Sequence, residues 1–112
     1  MSTLRLEVPC YGGTTAVLSA RRNPATGARY WMAEIYCQPP RSTAIQLLVI
    51  CGSDDAAPRF EVTSSSDGVR HCLWLMHSCI ELPLASWKRL KALAADLIEE
   101  HPSHGGAMER CA

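Results

Sequence analysis

Apolar and polar residues alternate along most of the first two thirds of the chain, which is typical of strands that bury one face. Turn residues interrupt the alternation, among them Gly12-Gly13 and Ser64–Gly68. The pattern predicts an antiparallel meander of about six strands. The predicted strands are Leu4–Val8, Thr14–Ala20, Tyr30–Cys37, Ala44–Cys51, Arg59–Thr63 and Val69–Leu82.

Two of these strands depart from simple alternation. Ala44–Cys51 is almost continuously apolar, so we expect it to be the most buried strand. The sixth strand, Val69–Leu82, is apolar on both faces. Its alternation places Leu73, Leu75 and Cys79 on one face and Cys72, Trp74, Met76 and Ile80 on the other.

The residues after Pro83 follow the period of a helix. One apolar stripe contains Leu84, Trp87, Leu90, Ala94, Leu97 and Ile98. We expect the helix to end at His101-Pro102, because proline disfavours helical geometry in the residue before it. The prediction is one α+β domain over residues 1–101, with the helix packed on the sheet, and a disordered tail over residues 102–112.

Composition restricts the class of protein. The 112 residues are 47% hydrophobic and carry no formal net charge, so the chain offers no overall field that would attract a polyanion. No apolar run approaches the roughly 20 residues of a membrane span. The first residues lack the apolar core of a signal peptide. We therefore expect a cytoplasmic protein that does not enter a membrane. Nine of the eleven basic residues are arginine, which indicates a GC-rich bacterial or phage gene.

Six cysteines in a short chain raise the question of disulfides. Cys37, Cys51 and Cys72 lie within or at the end of apolar runs, where a thiol behaves as a small hydrophobic side chain. The chain contains no pair of cysteines separated by two residues. We therefore predict reduced cysteines, with these three in the core.

The densest group of potential metal ligands consists of His71, Cys72, His77 and Cys79. On one continuous strand, His77 and Cys79 would share a face and could bind Zn²⁺ together. The spacing matches no established zinc motif, so core thiols with histidines at the sheet edge are favoured and no cofactor is expected. No nucleophile motif or phosphate-binding loop is present, and we expect no enzymatic activity.

Two groups of basic residues could contact a partner. Arg21, Arg22 and Arg29 surround a predicted turn, while Lys88, Arg89 and Lys91 lie early in the helix. Basic residues in the first turns oppose the helix dipole, and residues that break a local rule can mark a functional surface. Trp74 and Met76, on the apolar sixth strand, complete the predicted partner-binding set.

The junction Cys79–Lys91 resembles the strand-to-helix junction of the PC4-like transcriptional coactivators (p15). In that family an I-x-L strand end precedes a helix with W-x-x-L-K. The matching residues here are Ile80, Leu82, Trp87, Leu90 and Lys91. The resemblance implies a dimer that binds single-stranded DNA. The upstream strands carry Leu, Val, Cys and Met where the family has a basic and aromatic face.

These observations leave two principal classes of function. The favoured one is a small binding module that acts through protein–protein contacts, such as a phage or mobile-element inhibitor of a bacterial host system, of the anti-CRISPR kind. The alternative is a PC4-like protein that binds single-stranded nucleic acid, and a zinc-binding domain is a second alternative. Because one helix covers only one face of the sheet, we also expect a homodimer or a hydrophobic docking face.

Overall fold

The computed structural model describes residues 4–52 and 57–100, which form seven strands and one helix. The α+β class is confirmed, but the single six-stranded meander is wrong. Four strands form a first sheet, in the order β1-β2-β3-β4, and three form a second, in the order β5-β6-β7. The elements are β1 (Leu4–Pro9), β2 (Thr15–Arg22), β3 (Arg29–Tyr36), β4 (Gln46–Cys51), β5 (Arg59–Ser65), β6 (Gly68–Leu75), β7 (Ser78–Glu81) and α1 (Leu84–Glu100).

The first sheet is antiparallel throughout, and its register brings apolar residues into rows on its inner face. Leu18 of β2 lies opposite Leu6 of β1 and Ala33 of β3, and Ala33 lies opposite Ile50 of β4. Leu18, Ala33 and Ile50 are buried. A short turn, Tyr11–Gly13, links β1 to β2, and both of its glycines have positive φ. The predicted Gly12-Gly13 turn is therefore confirmed.

The second sheet corrects the prediction of one long sixth strand. Residues Gly68–Leu75 and Ser78–Glu81 are two antiparallel strands, joined by a turn at Met76. The turn reverses the alternation, so Ile80 lies opposite Leu73 and Cys79 lies opposite Trp74. The inner face therefore carries Leu73, Leu75 and Ile80, all buried, and Cys79 joins Trp74 on the outer face.

The helix closes the core by packing on β1 and β6, which belong to different sheets. Trp87 is buried, and its indole Nε1 donates a hydrogen bond to the Cys72 carbonyl at 3.0 Å. The ring packs edge-on against Phe60 and His71. Ser86, also buried, donates a hydrogen bond to the Pro9 carbonyl. The helix is thus attached to both sheets within two consecutive residues.

The predicted helical stripe is largely confirmed. Trp87, Leu90 and Ala94 are buried, whereas Leu84 at the start of the helix is 46% exposed. The side chains of Leu97 and Ile98 lie outside the described residues, as do the predicted stop at His101-Pro102 and the predicted tail over 102–112.

Two burial predictions are wrong. The strand predicted to be the most buried, Ala44–Cys51, is an edge strand in which Ile50 is the buried residue. Cys37 and Cys51 are exposed rather than part of the core, whereas Cys72 is buried as predicted. Within residues 4–52 and 57–100, no helix is long and apolar enough to cross a membrane.

Met76 provides a test of the β6–β7 turn. Its φ is +56°, a region that favours glycine, and its side chain is 47% exposed. We expect Met76→Gly to raise the free energy of unfolding by about 1 kcal/mol, because it removes the steric cost of this conformation. Denaturant unfolding measures the change. Met76→Ala is the control and gives no such gain; equal stability of the two variants would contradict the turn.

The two buried indole N–H groups provide a second test. Trp87 Nε1 donates to a carbonyl, but Trp74 Nε1 is buried with no hydrogen-bond partner among the described residues. Trp87→Phe is expected to cost about 1–3 kcal/mol because it removes the buried hydrogen bond to the Cys72 carbonyl and part of the packing of the indole. Trp74→Phe, which removes an unpaired donor and keeps an aromatic ring beside Arg59, is expected to cost less. Thermal unfolding compares the two, and an equal loss in both variants would refute the difference.

Candidate functional site

Strand β4 is the edge of the first sheet and exposes most of its apolar side chains. Among the described residues it pairs only with β3. Ile45 is 63% exposed, Leu47 55%, Leu48 41% and Val49 43%. We call these four residues the apolar edge. Surfaces of this kind are uncommon on monomers and mark sites of interaction.

The backbone of β4 also has hydrogen-bonding groups directed away from the sheet. The Gly52 N–H donates to the Trp31 carbonyl of β3 at 2.8 Å. Because backbone direction alternates along a strand, the N–H and C=O groups of Val49 and Cys51 point to the open side. The apolar edge therefore combines exposed aliphatic side chains with backbone groups to which another strand could bind.

Folded proteins usually protect edge strands with charges, prolines or bulges. Here the uncharged run extends from Ser42 to Ser53 in the sequence, and Pro39 and Pro40 precede the strand rather than interrupt it. One bulge is present, because Ile35 pairs with Leu48 while Tyr36 pairs with Gln46, which leaves Leu47 as the extra residue. From Leu48 to Cys51 the strand pairs regularly with β3 and carries no charge.

A polar cluster fixes the start of β4 to β3. Glu34 is only 6% exposed, and its Oε2 accepts a hydrogen bond from the Tyr36 hydroxyl at 2.9 Å. Gln46 Nε2 donates to the same oxygen and lies 3.3 Å from the Tyr36 hydroxyl. The hydrogen bond to Glu34 raises the pKa of Tyr36, and burial and the negative charge of Glu34 add to the increase. The cluster holds the bulged end of β4 in place.

The structure brings the three predicted turn arginines together. Arg22 lies opposite Arg29 and Arg21 opposite Tyr30, at the end of the β2–β3 hairpin. Arg22 Nη1 donates to the Gly27 carbonyl at 2.7 Å, so this side chain helps to hold the turn. Arg21 is exposed and Arg29 half-buried. The three arginines therefore lie at the same end of the hairpin but on two faces, with Arg21 beside Tyr30 on one face and Arg22 beside Arg29 on the other.

The other predicted partner-binding residues lie on different elements. Lys91 Nζ lies 4.9 Å from the centre of the Trp87 ring, while Lys88 and Arg89 are exposed on α1. The Arg59 guanidinium lies 5.4 Å from the centre of the Trp74 ring, and Met76 is in the β6–β7 turn. The predicted set is thus divided among the β2–β3 hairpin, the second sheet and α1.

The four candidate metal ligands do not converge. His71 faces the helix with its ring 5.3 Å from that of Trp87, and Cys72 points to the opposite face. Cys79 shares the face of Cys72, but His77 lies in the turn and not on a strand with Cys79, as the long-strand prediction required. Burial raises the pKa of the Cys72 thiol, and the nearby Cys79 and Glu81 add to the increase. In the described part of the chain, no three histidine, cysteine or acidic residues are grouped to hold a metal ion.

The sequence patterns predict neither the apolar edge nor the Glu34–Tyr36–Gln46 cluster. A continuous apolar run is expected equally for a central strand, so the composition of β4 suggested burial. The sequence pattern carried no signal of strand order, because the polar segment after β4 resembles the polar turn between β2 and β3, two strands that pair.

No family model, curated protein sequence or solved structure matches this chain. Its function is therefore inferred from the geometry of its surface.

The Tyr36 hydroxyl provides a test of the polar cluster. Its pKa in the folded protein is raised above the ordinary value of 10.0, so the neutral phenol stabilises the fold. This contribution is complete below about pH 10 and is lost as the pH rises through the pKa of the folded state. We expect Glu34→Gln to lower the pKa of Tyr36, measured by the ultraviolet absorbance of tyrosinate, with Tyr36→Phe identifying the step. Glu61→Gln, in the second sheet, is the control, and an unchanged Tyr36 step in Glu34→Gln would contradict the cluster.

Proposed function

We propose that the protein is a non-enzymatic binding module that docks another protein through the apolar edge of β4. The observation that carries this proposal is the exposure of Ile45, directly before β4, and of Leu47, Leu48 and Val49 on this edge strand with outward backbone groups. An extended segment of a partner would add a strand at this edge. Main-chain hydrogen bonds would then supply affinity, and the exposed side chains would supply selectivity.

The chemistry of this edge supports a protein partner. A nucleic acid needs cations along its backbone, and Ser42–Ser53 has none. A strand of another protein satisfies outward N–H and C=O groups and covers aliphatic side chains at the same time. Strand addition of this kind needs no convergent set of acids, bases and nucleophiles. We therefore propose a binding role without catalysis.

Within this class we propose an inhibitor that occupies a surface of a larger bacterial protein, encoded by a phage or mobile element. The support is the small size of the domain, its zero formal charge and its one concentrated apolar edge. Neighbouring phage or defence genes would favour this role.

Binding of single-stranded nucleic acid is a second candidate, and one observation favours it. Arg21 and Tyr30 lie opposite each other on one face at the end of the β2–β3 hairpin, where a cation and an aromatic ring could contact phosphate and base. The net charge of zero and the distribution of the remaining basic residues over other elements make it the weaker candidate.

The test compares two exposed valines. Val49 is 43% exposed on the β4 edge, and Val69 is 56% exposed on β6, the central strand of the second sheet. We expect wild type and Val69→Lys to capture the same host protein from nuclease-treated lysate. Val49→Lys is expected to lose it, because a buried unpaired lysine is costly at a strand–strand interface.

In the purified complex, hydrogen exchange should show protection of the Val49 and Cys51 amides. Capture that is unaffected by Val49→Lys would overturn the proposal. Loss of capture on nuclease treatment, with sensitivity to Arg21→Ala and Arg29→Ala, would favour the nucleic-acid candidate instead.

A further inference from the structure

The apolar edge is complementary to itself. The pairing region Leu48–Cys51 and its flanks from Ser42 to Ser53 carry no charge, so two copies of β4 can approach without repulsion between like charges. In the sequence, Arg41 and the pair Asp54-Asp55 lie outside this run, so two copies of β4 set no charged side chain opposite another along the paired residues.

The backbone directions restrict how two copies can pair. Val49 and Cys51 direct their N–H and C=O groups to the open side, so a two-fold axis at Val49 creates a pair that exchanges two hydrogen bonds. In this register Leu48 lies opposite Ile50 of the second copy. An axis at Ile50 would instead place Leu48 opposite Gly52, which has no side chain to cover it.

Burial of Leu48 distinguishes the two registers. Leu48 is on the inner face of the first sheet beside Ile35, yet it is 41% exposed because no strand within residues 4–52 and 57–100 lies beyond it. The axis at Val49 extends the inner apolar row across the junction and covers Leu48. It also sets two β-branched valines opposite each other, a favourable cross-strand pair.

From this geometry we infer that a second copy of the chain occupies the apolar edge. Two molecules pair through β4 in antiparallel orientation about a two-fold axis at Val49. The two four-stranded sheets then form one continuous eight-stranded sheet. This inference rests on the proposed function, because it takes the β4 edge to be a docking surface. It identifies a second copy of the chain as the molecule that occupies this edge when no other protein is bound.

The size of the surface sets the strength of the dimer. The apolar edge exposes a few hundred Å² per molecule, less than the roughly 800 Å² per partner of a standard stable interface. The dimer is therefore weak, with a dissociation constant on the order of micromolar or higher. A partner strand that forms the same backbone bonds with better side-chain contacts displaces the second copy.

The first experiment measures molar mass by sedimentation over a wide range of protein concentration. Wild type and Val69→Lys are expected to pass from monomer to dimer as concentration rises. Val49→Lys is expected to weaken dimerisation at least tenfold, because it sets two lysines opposite each other at the axis. A dimer that persists unchanged in Val49→Lys would overturn the inference.

The second experiment tests the register by cross-linking, in a variant with every cysteine except the buried Cys72 replaced by serine. Val49→Cys in this background is expected to form an intermolecular disulfide on mild oxidation, since directly opposed residues lie about 5.5 Å apart. Leu47→Cys is the control, because an axis at Val49 sets its two copies too far apart. Cross-linking of Leu47→Cys but not of Val49→Cys would overturn the register.

The outcomes separate this inference from the proposed function. A protein that stays monomeric at all concentrations, yet loses its captured host protein in Val49→Lys, overturns the dimer alone. If Val49→Lys still captures the host protein, the β4 edge is not the docking surface. Both the proposed function and the dimer would then lose their basis.

Discussion

The fold depends on one helix that must cover the inner faces of two sheets. Trp87 and Ser86 attach it at the junction, where the indole donates to the second sheet and the serine hydroxyl to the first. A helix is about 10–12 Å wide, and strands lie about 4.8 Å apart. Attached beside β1 and β6, the helix cannot also reach the far edge of the four-stranded sheet. The exposure of β4 follows from this position, since the inner row continues through Ile50 and Leu48 beyond the helix.

The open edge is nevertheless held in a defined conformation. Glu34 accepts hydrogen bonds from Tyr36 and Gln46 across the bulge, which fixes the start of β4 to the buried strand β3. Beyond the bulge, Leu48–Cys51 pairs regularly with β3. A strand fixed in this way binds a partner with little loss of its own conformational entropy. Order and exposure together, rather than exposure alone, make the edge suitable for binding.

Periodicity was sufficient to predict what depends on local sequence. It gave the α+β class, the Gly12-Gly13 turn and the buried face of the helix at Trp87, Leu90 and Ala94. It failed at Met76, because a turn that uses a methionine at positive φ carries no glycine, asparagine or proline signal. It also failed for β4, since its burial depends on strand order and on the reach of the helix. The arginines of the β2–β3 hairpin could be predicted as a group because they are close in sequence. The apolar edge could not be predicted, because its exposure depends on the order of the strands in the sheet.

The same unpaired groups on β4 would serve both the proposed self-association and the proposed capture of a partner, so the two would compete. A lysine on the strand would block both, which is how many proteins protect an edge. The bulge at Leu47 has a more limited effect. Regular pairing with β3 begins only at Leu48, so the bulge restricts the regular part of β4 to a few residues. A two-fold pair uses each edge once and is closed, so assembly through β4 stops at two molecules. In the proposed dimer, a short, uncharged and bulged edge would pair reversibly and would leave no free β4 edge on which a longer assembly could grow.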